Sequence, residues 1–228
     1  MIRLQIDSTA IGSALDAAPE EVKRTMFDYI LSGGWTMIPI AILFVAAIFV
    51  FVERLLRIQK SNKNPSAFMG RVREYVLGGK IDQARDYCGT VNTPFSRMIL
   101  KGLRRLGSPL KDIETAIENV GTLEIYRLEK GLSILATIAG AAPMLGFLGT
   151  VLGMIQGFDT ISLAEGTTDG SALAGSISTA MVTTASGLIV GILAYIGYNL
   201  LVNMVSSVVH RMETTSTDFI DLLQEPAA

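Results

Sequence analysis

Cysteine, histidine and tryptophan occur once each in these 228 residues, as Cys88, His210 and Trp35. A lone cysteine excludes a disulfide within the chain, and a single Cys and a single His give no metal-ligand spacing. Cys88 therefore reads as a buried thiol and His210 as a helix-surface imidazole at a membrane edge. No Ser/His/Asp set, phosphate loop or clustered carboxylate pair occurs either. An enzyme is not expected, nor a cofactor, nor a nucleic-acid partner.

Charge is scarce as well. Only 18% of the residues are charged, half are hydrophobic, and mean hydropathy is +0.44. The shortage is local. Gly170 to Val209 is forty residues without one charge, and Gly131 to Phe158 and Trp35 to Val52 are two further uncharged runs. Each is long enough to cross a hydrocarbon core, Trp35–Val52 at about the minimum length. The fold class expected is an all-α integral membrane protein with three transmembrane helices.

Charge that is present is sorted by side. Residues 53–130 hold fifteen of the nineteen basic side chains against nine acidic ones, and 159–169 hold none. The bias of Lys and Arg toward the cytoplasm then predicts N-out, C-in. The expected divisions are a periplasmic segment 1–34, a first span 35–52 and a cytoplasmic helical domain 53–130. A second span 131–158, a periplasmic turn 159–171, a third span 172–202 and a cytoplasmic extension 203–228 follow. Residues 1–34 lack the apolar stretch of a signal peptide, so no cleavage is expected. Pro19, Glu20 and Glu21 open an amphipathic helix with Val22, Met26, Tyr29 and Ile30 on one stripe.

Within 53–130 the punctuation is helical. Gly78–Gly79 ends a first helix, Ile81 to Tyr87 marks a second, Thr93–Pro94 is an N-cap and N1 pair, and Gly107 closes the third. Ser108–Pro109 opens a fourth, and no stop signal other than Pro143 follows before Phe158. A single helix of roughly 50 residues, about 75 Å long, is predicted there. Past Val202 the stripe Val205, Val208, Met212, Phe219 and Leu222 carries the third helix into the cytoplasm too. Glu53 and Arg54 mark the end of the first span.

The spans themselves contain small residues and hydroxyls. Gly146, Gly149 and Gly153 in the second span, with Gly187 and Gly191 in the third, are spaced for close helix contact. Pro143 removes one backbone hydrogen bond, and the freed carbonyl invites a hydroxyl or water. Ser176, Thr179, Thr183 and Ser186 fall at i, i+3, i+7 and i+10, on one helix face. With Thr184 and, on the second span, Thr150, they form either packing contacts or a polar path for water or a small cation. Intramembrane relays ordinarily use Asp, Glu or His. The second and third spans have none, so a coupled ion path needs a carboxylate from another chain.

The run Ala142-Pro143…Gly146…Gly149-Thr150-Val151…Gly153-Met154 is followed by Thr184-Ala185-Ser186-Gly187-Leu188 and Tyr198-Asn199. Together they resemble the ExbB/TolQ/MotA family, and its three-span ExbB/TolQ branch most closely. The resemblance implies a pentamer in the bacterial inner membrane whose second and third helices enclose a pore. It also implies a single-span ExbD/TolR-like partner whose aspartate carries the ion, and a TonB- or TolA-like protein that passes work to the outer membrane. The pore threonines carried over by position are Thr150 and Thr184. Thr179 stands where many ExbB and TolQ proteins have glutamate, which leaves sodium as the alternative to protons. Other readings are a TolQ-like role in envelope maintenance, a structural scaffold and a free-standing channel.

Overall fold

The computed structural model describes residues 34–61, 65–163 and 170–225. The predicted helix around Pro19–Ile30 and most of the 159–169 turn lie outside them. Seven helices are present among the described residues, and no strand. They are α1 (Met37–Ser61), α2 (Pro65–Leu77), α3 (Ile81–Val91), α4 (Pro94–Arg104), α5 (Leu110–Glu129), α6 (Leu132–Leu163) and α7 (Gly170–Gln224). Three stretches are long and apolar enough to cross a membrane, within α1, α6 and α7.

Helices α2 to α5 pack around the far half of α7 into a core of large apolar side chains. Val72, Phe95, Ile99, Leu103, Ile117, Met212 and Phe219 are all fully buried there. Phe68 stacks on Tyr87 and tilts against Phe95, with ring centroids 5.6 Å apart in each pair. Most of the punctuation read from the sequence is in place, but at Ser108–Pro109 the helix starts one residue later, with Pro109 as N-cap and no side-chain cap bond. Thr93 caps α4 by accepting from Ser96 N, and Ser96 Oγ accepts from Thr93 N at 2.8 Å, a reciprocal capping box. Gly79 and Gly107 take φ of +69° and +98°, where a Cβ would be strained.

Polar ties lock this half together. The buried Glu124 carboxylate accepts from Arg97 and, at 2.6 Å, from Arg127. Arg85 Nη2 donates to Leu103 O at 2.9 Å and so satisfies a carbonyl at the end of α4. Arg73 grips both Glu225 oxygens, at 2.6 and 2.7 Å, and ties α2 to the end of α7.

One prediction fails. The expected continuous helix from Ser108–Pro109 to Phe158 is two helices, broken between Glu129 and Leu132. Gly131 takes φ +93° at the break. Gly131 follows the C-cap Lys130, and an arginine from another helix packs over it: a Cβ on Gly131 would sit 2.8 Å from Arg54 Nε and 3.0 Å from its Cζ. Arg54 therefore does more than mark the end of the first span. α1 itself continues for two more turns, to Ser61. α7, in contrast, runs 55 residues without interruption.

Candidate ion-pathway site in the second and third spans

Among the described residues α6 and α7 form the most extensive helix pair, and small residues line it. Gly146 lies against the Thr183 carbonyl and Thr184 Cα, and its own added Cβ would meet them at 2.9 and 3.0 Å. One turn on, Gly149 faces Thr183, Gly153 faces Ala180, and Gly157 faces Ser176. From the other side, a Cβ on Gly187 would be 2.5 Å from Ala142 O and 2.9 Å from Gly146 Cα. Gly191 abuts the Pro143 ring, 2.6 Å from Cγ on the same measure. Lipid gives no hydrophobic drive for helix pairing, so close backbone approach supplies the attraction.

Pro143 sits inside an unbroken α6. It deprives the Ala139 carbonyl of its helical donor, and that carbonyl lies next to Gly191, 3.0 Å from a Cβ placed there. The hydroxyls in the seam go elsewhere. Thr184 Oγ1 donates to Gly146 O at 2.9 Å, and Thr183 Oγ1 donates to Ala180 O at 2.7 Å with a longer reach of 3.4 Å to Gly146 O. Gly146 O is thus a shared acceptor for the third span, one turn before Thr150. Thr150 Oγ1 folds back onto Phe147 O at 2.6 Å and stays part-exposed.

The hydroxyl face predicted from spacing is split by these contacts. Thr183 is 1% exposed and belongs to the seam. Ser176 is half-buried against Gly157, and Thr179, Thr184 and Ser186 are half-buried on α7. Thr179 and Thr183, with Gly34, Trp35, Thr36 and Gly149, line a cavity of about 50 Å³, enough for water. No Asp, Glu, His, Lys or Arg occurs between Gly131 and Phe158 or between Gly170 and Val209. The arrangement can hold water and orient a cation by hydroxyl and carbonyl oxygens. It has no side chain that carries a proton at neutral pH. Among the described residues no group of acidic, Cys or His side chains is placed to hold a metal ion.

Large apolar side chains face outward around this seam: Met144, Phe147, Phe158, Met181, Ile192 and Tyr195 are all at least half exposed. That is the arrangement of helices surrounded by lipid or by other membrane helices.

A model of the MotA/TolQ/ExbB proton channel family matches residues 90–214, more than half of the chain, and the chain belongs to that family. It is 29% identical over 189 residues to the ExbB-like 1 biopolymer transport protein of Synechocystis sp., a match covering 79% of this chain and 72% of that one. An ExbB homolog of Methanothermobacter thermautotrophicus is 28% identical over 191 residues, 83% and 67% of the two chains. The biopolymer transport protein ExbB of Xanthomonas campestris is 34% identical over 109 residues, 48% of this chain and 43% of that one. The chain is thus an ExbB-like multi-pass membrane protein of a biopolymer-transport, motor-subunit type. The family is one of ion channels and transport, not of enzymes.

Proposed function

We propose that this chain is the ring-forming subunit of a motor in the bacterial inner membrane, with helices α2 to α5 in the cytoplasm. Five copies surround a dimer of an ExbD/TolR-like single-span protein. The partner's aspartate carries protons past Thr150 and Thr184, and a TonB-like protein takes the resulting motion to outer-membrane transport. One observation supports this above the rest: two glycine-locked spans hold hydroxyls and shared carbonyls between them but no proton carrier. Such a path is incomplete in one chain and calls for a carboxylate from a second. The orientation rests on the excess of Lys and Arg in 53–130.

Native mass spectrometry of the protein extracted gently from its own membranes tests the assembly. Five copies with two copies of a small single-span chain are expected. A homo-oligomer lacking any such chain, under conditions that preserve membrane complexes, would overturn the reading. Proton against sodium is then decided by flux through the reconstituted complex in a sodium-free buffer, where undiminished activity is expected.

A further inference from the structure

Two flanks of the helical domain carry opposite charge at matching levels. One is a groove of about 480 Å³ between α5 and α7. Met98 and Met212 line it, and both are buried, so they form its floor. Glu114, Glu118 and Glu213 line it too and are exposed. Among the described residues none of these three carboxylates is in an ion pair.

The other flank is made by α4 and the far edge of α5. Gly102 of α4 faces Ile117 and Phe219. Arg97, Lys101 and Arg104, spaced i, i+4 and i+7, form a stripe roughly 100–160° around α4 from Gly102. Lys101 and Arg104 are exposed and in no ion pair among the described residues. On α5, the exposed Leu123 lies about 140° around the helix from Glu118 and about 160° from the groove residue Ile125. The buried Glu124 ties these side chains to one flank. Arg127, one turn from Leu123, and Arg97, one turn from Lys101, grip the same carboxylate.

The levels follow from how α4 and α5 pair. They run antiparallel, with Arg97 on Glu124, Met98 against Gly121 and Gly102 against Ile117. Lys101 is therefore level with Glu118, Arg104 with Glu114, and Leu123 with Gly121 and Ile125, each to within about a turn. Copies of a chain in one bilayer sit at one depth and are related by rotation about the membrane normal. A residue of one copy can then meet only residues of its own level in the next.

We propose that these two flanks are the docking faces between neighbouring copies of this chain. Leu123 of one copy enters the groove of the next over Met98, and Lys101 and Arg104 meet Glu118 and Glu114. The inference rests on the ring proposed above and assigns the surface that closes it outside the spans. The two faces differ, so the contact is head-to-tail, the kind that generates rings. A two-fold contact would set like charge against like. The occupant is a second copy because this chain itself carries the complementary charge, at the right level, beside an exposed leucine. Large exposed apolar side chains are otherwise scarce on α2 to α5.

Disulfide trapping in the full chain, in mild detergent and on a Cys88→Ala background, tests the pairing. Leu123→Cys with Ile125→Cys puts two thiols on opposite sides of α5, where they cannot bond within one chain. Oxidation should give a ladder up to the full oligomer, and neither substitution alone should give one. Lys101→Glu with Arg104→Glu should lower the ladder yield roughly tenfold, and adding Glu114→Lys with Glu118→Lys should restore it. All four positions are exposed, and circular dichroism should be unchanged. Native mass spectrometry of the same samples before oxidation separates this inference from the ring itself. An oligomer that gives no ladder, a ladder from either single variant, or charge reversal without effect would overturn the docking faces and leave the ring standing. A monomer in that measurement would overturn both.

Discussion

Within the single helix α7, two halves pack by opposite rules. From Ser176 to Gly191 its inward face is Ser, Ala, Thr and Gly, and its large side chains point out. From Leu201 to Leu222 the inward face is Leu201, Val205, Val208, Met212, Phe219 and Leu222, all nearly inaccessible. The solvent accounts for the switch. Beside water, burying large apolar groups is itself the driving force, at about 25 cal/mol per Å². Beside lipid there is no such gain, so stability comes from how closely two backbones can approach.

Breaking each half in its own currency gives the largest effects. Phe219→Ala leaves a cavity among Gly102, Ile117 and α7, and should cost about 3–5 kcal/mol. The loss should show as protease cleavage and early thermal unfolding of the helical domain, with the spans still helical by circular dichroism. A uniform loss across both halves would mean the two are one cooperative unit. Next comes an alanine at a glycine in each half. Gly187→Ala would drive a Cβ into backbone atoms of α6, which yield only by moving the helices apart. It should destabilise the spans by about 1–3 kcal/mol in detergent unfolding. Gly102→Ala meets only the Phe219 ring and the Ile117 side chain, at 2.7 and 2.8 Å. Those ends can turn, and a gain of about 1 kcal/mol in helix propensity offsets the crowding, so the change should be near neutral. Equal losses at the two sites would show that the membrane seam is no less forgiving than the soluble core.

A smaller effect sharpens the contrast from the polar side. Thr184→Val keeps shape and deletes the bond to Gly146 O, and should cost about 0.6 kcal/mol of span stability. A far larger drop in ion flux than in stability would separate a pathway role from packing, and Thr184→Ser should restore the flux. The last contrast is one of pH, in the half of α7 that packs on α2 to α5. Burial pushes the Cys88 thiol up to about 12. The unfolded chain ionises first, so this stabilising contribution is complete below the ordinary thiol range and is lost as pH rises through it toward 12. The stability advantage of wild type over Cys88→Ala should therefore shrink between about pH 8 and pH 10 in chemical denaturation.

What was legible in the sequence was whatever a few neighbouring residues decide. Thr93–Pro94, Gly78–Gly79 and Gly107 act through their own backbone, and all sit where their chemistry puts them. The small-residue spacing of Gly146, Gly149, Gly153 and Gly187 is just as local. Contacts between distant segments were not legible. Gly121, Gly131 and Gly140 look alike in sequence, yet only Gly131 breaks the helix, with Arg54 packed over it from 77 positions earlier. Gly121 stays helical with Met98 packed on it. The hydroxyl stripe was visible, but its division into a buried Thr183 and half-buried Thr179 and Ser186 depends on where α6 lies. The Glu124 tie needed Arg97 from another helix and carried no signal in the local pattern.

The unbroken length of α7 has a mechanical consequence. Fifty-five residues make a rod about 80 Å long, and its neighbour along the same route is jointed at Gly131. Held at the seam, with about 50 Å of rod between Gly191 and Gln224, it turns a tilt of about 5° into a sweep of roughly 4 Å at its far end. Motion too small to separate the glycines in the membrane is thereby magnified at Arg73 and Glu225, where the end of α7 is clasped.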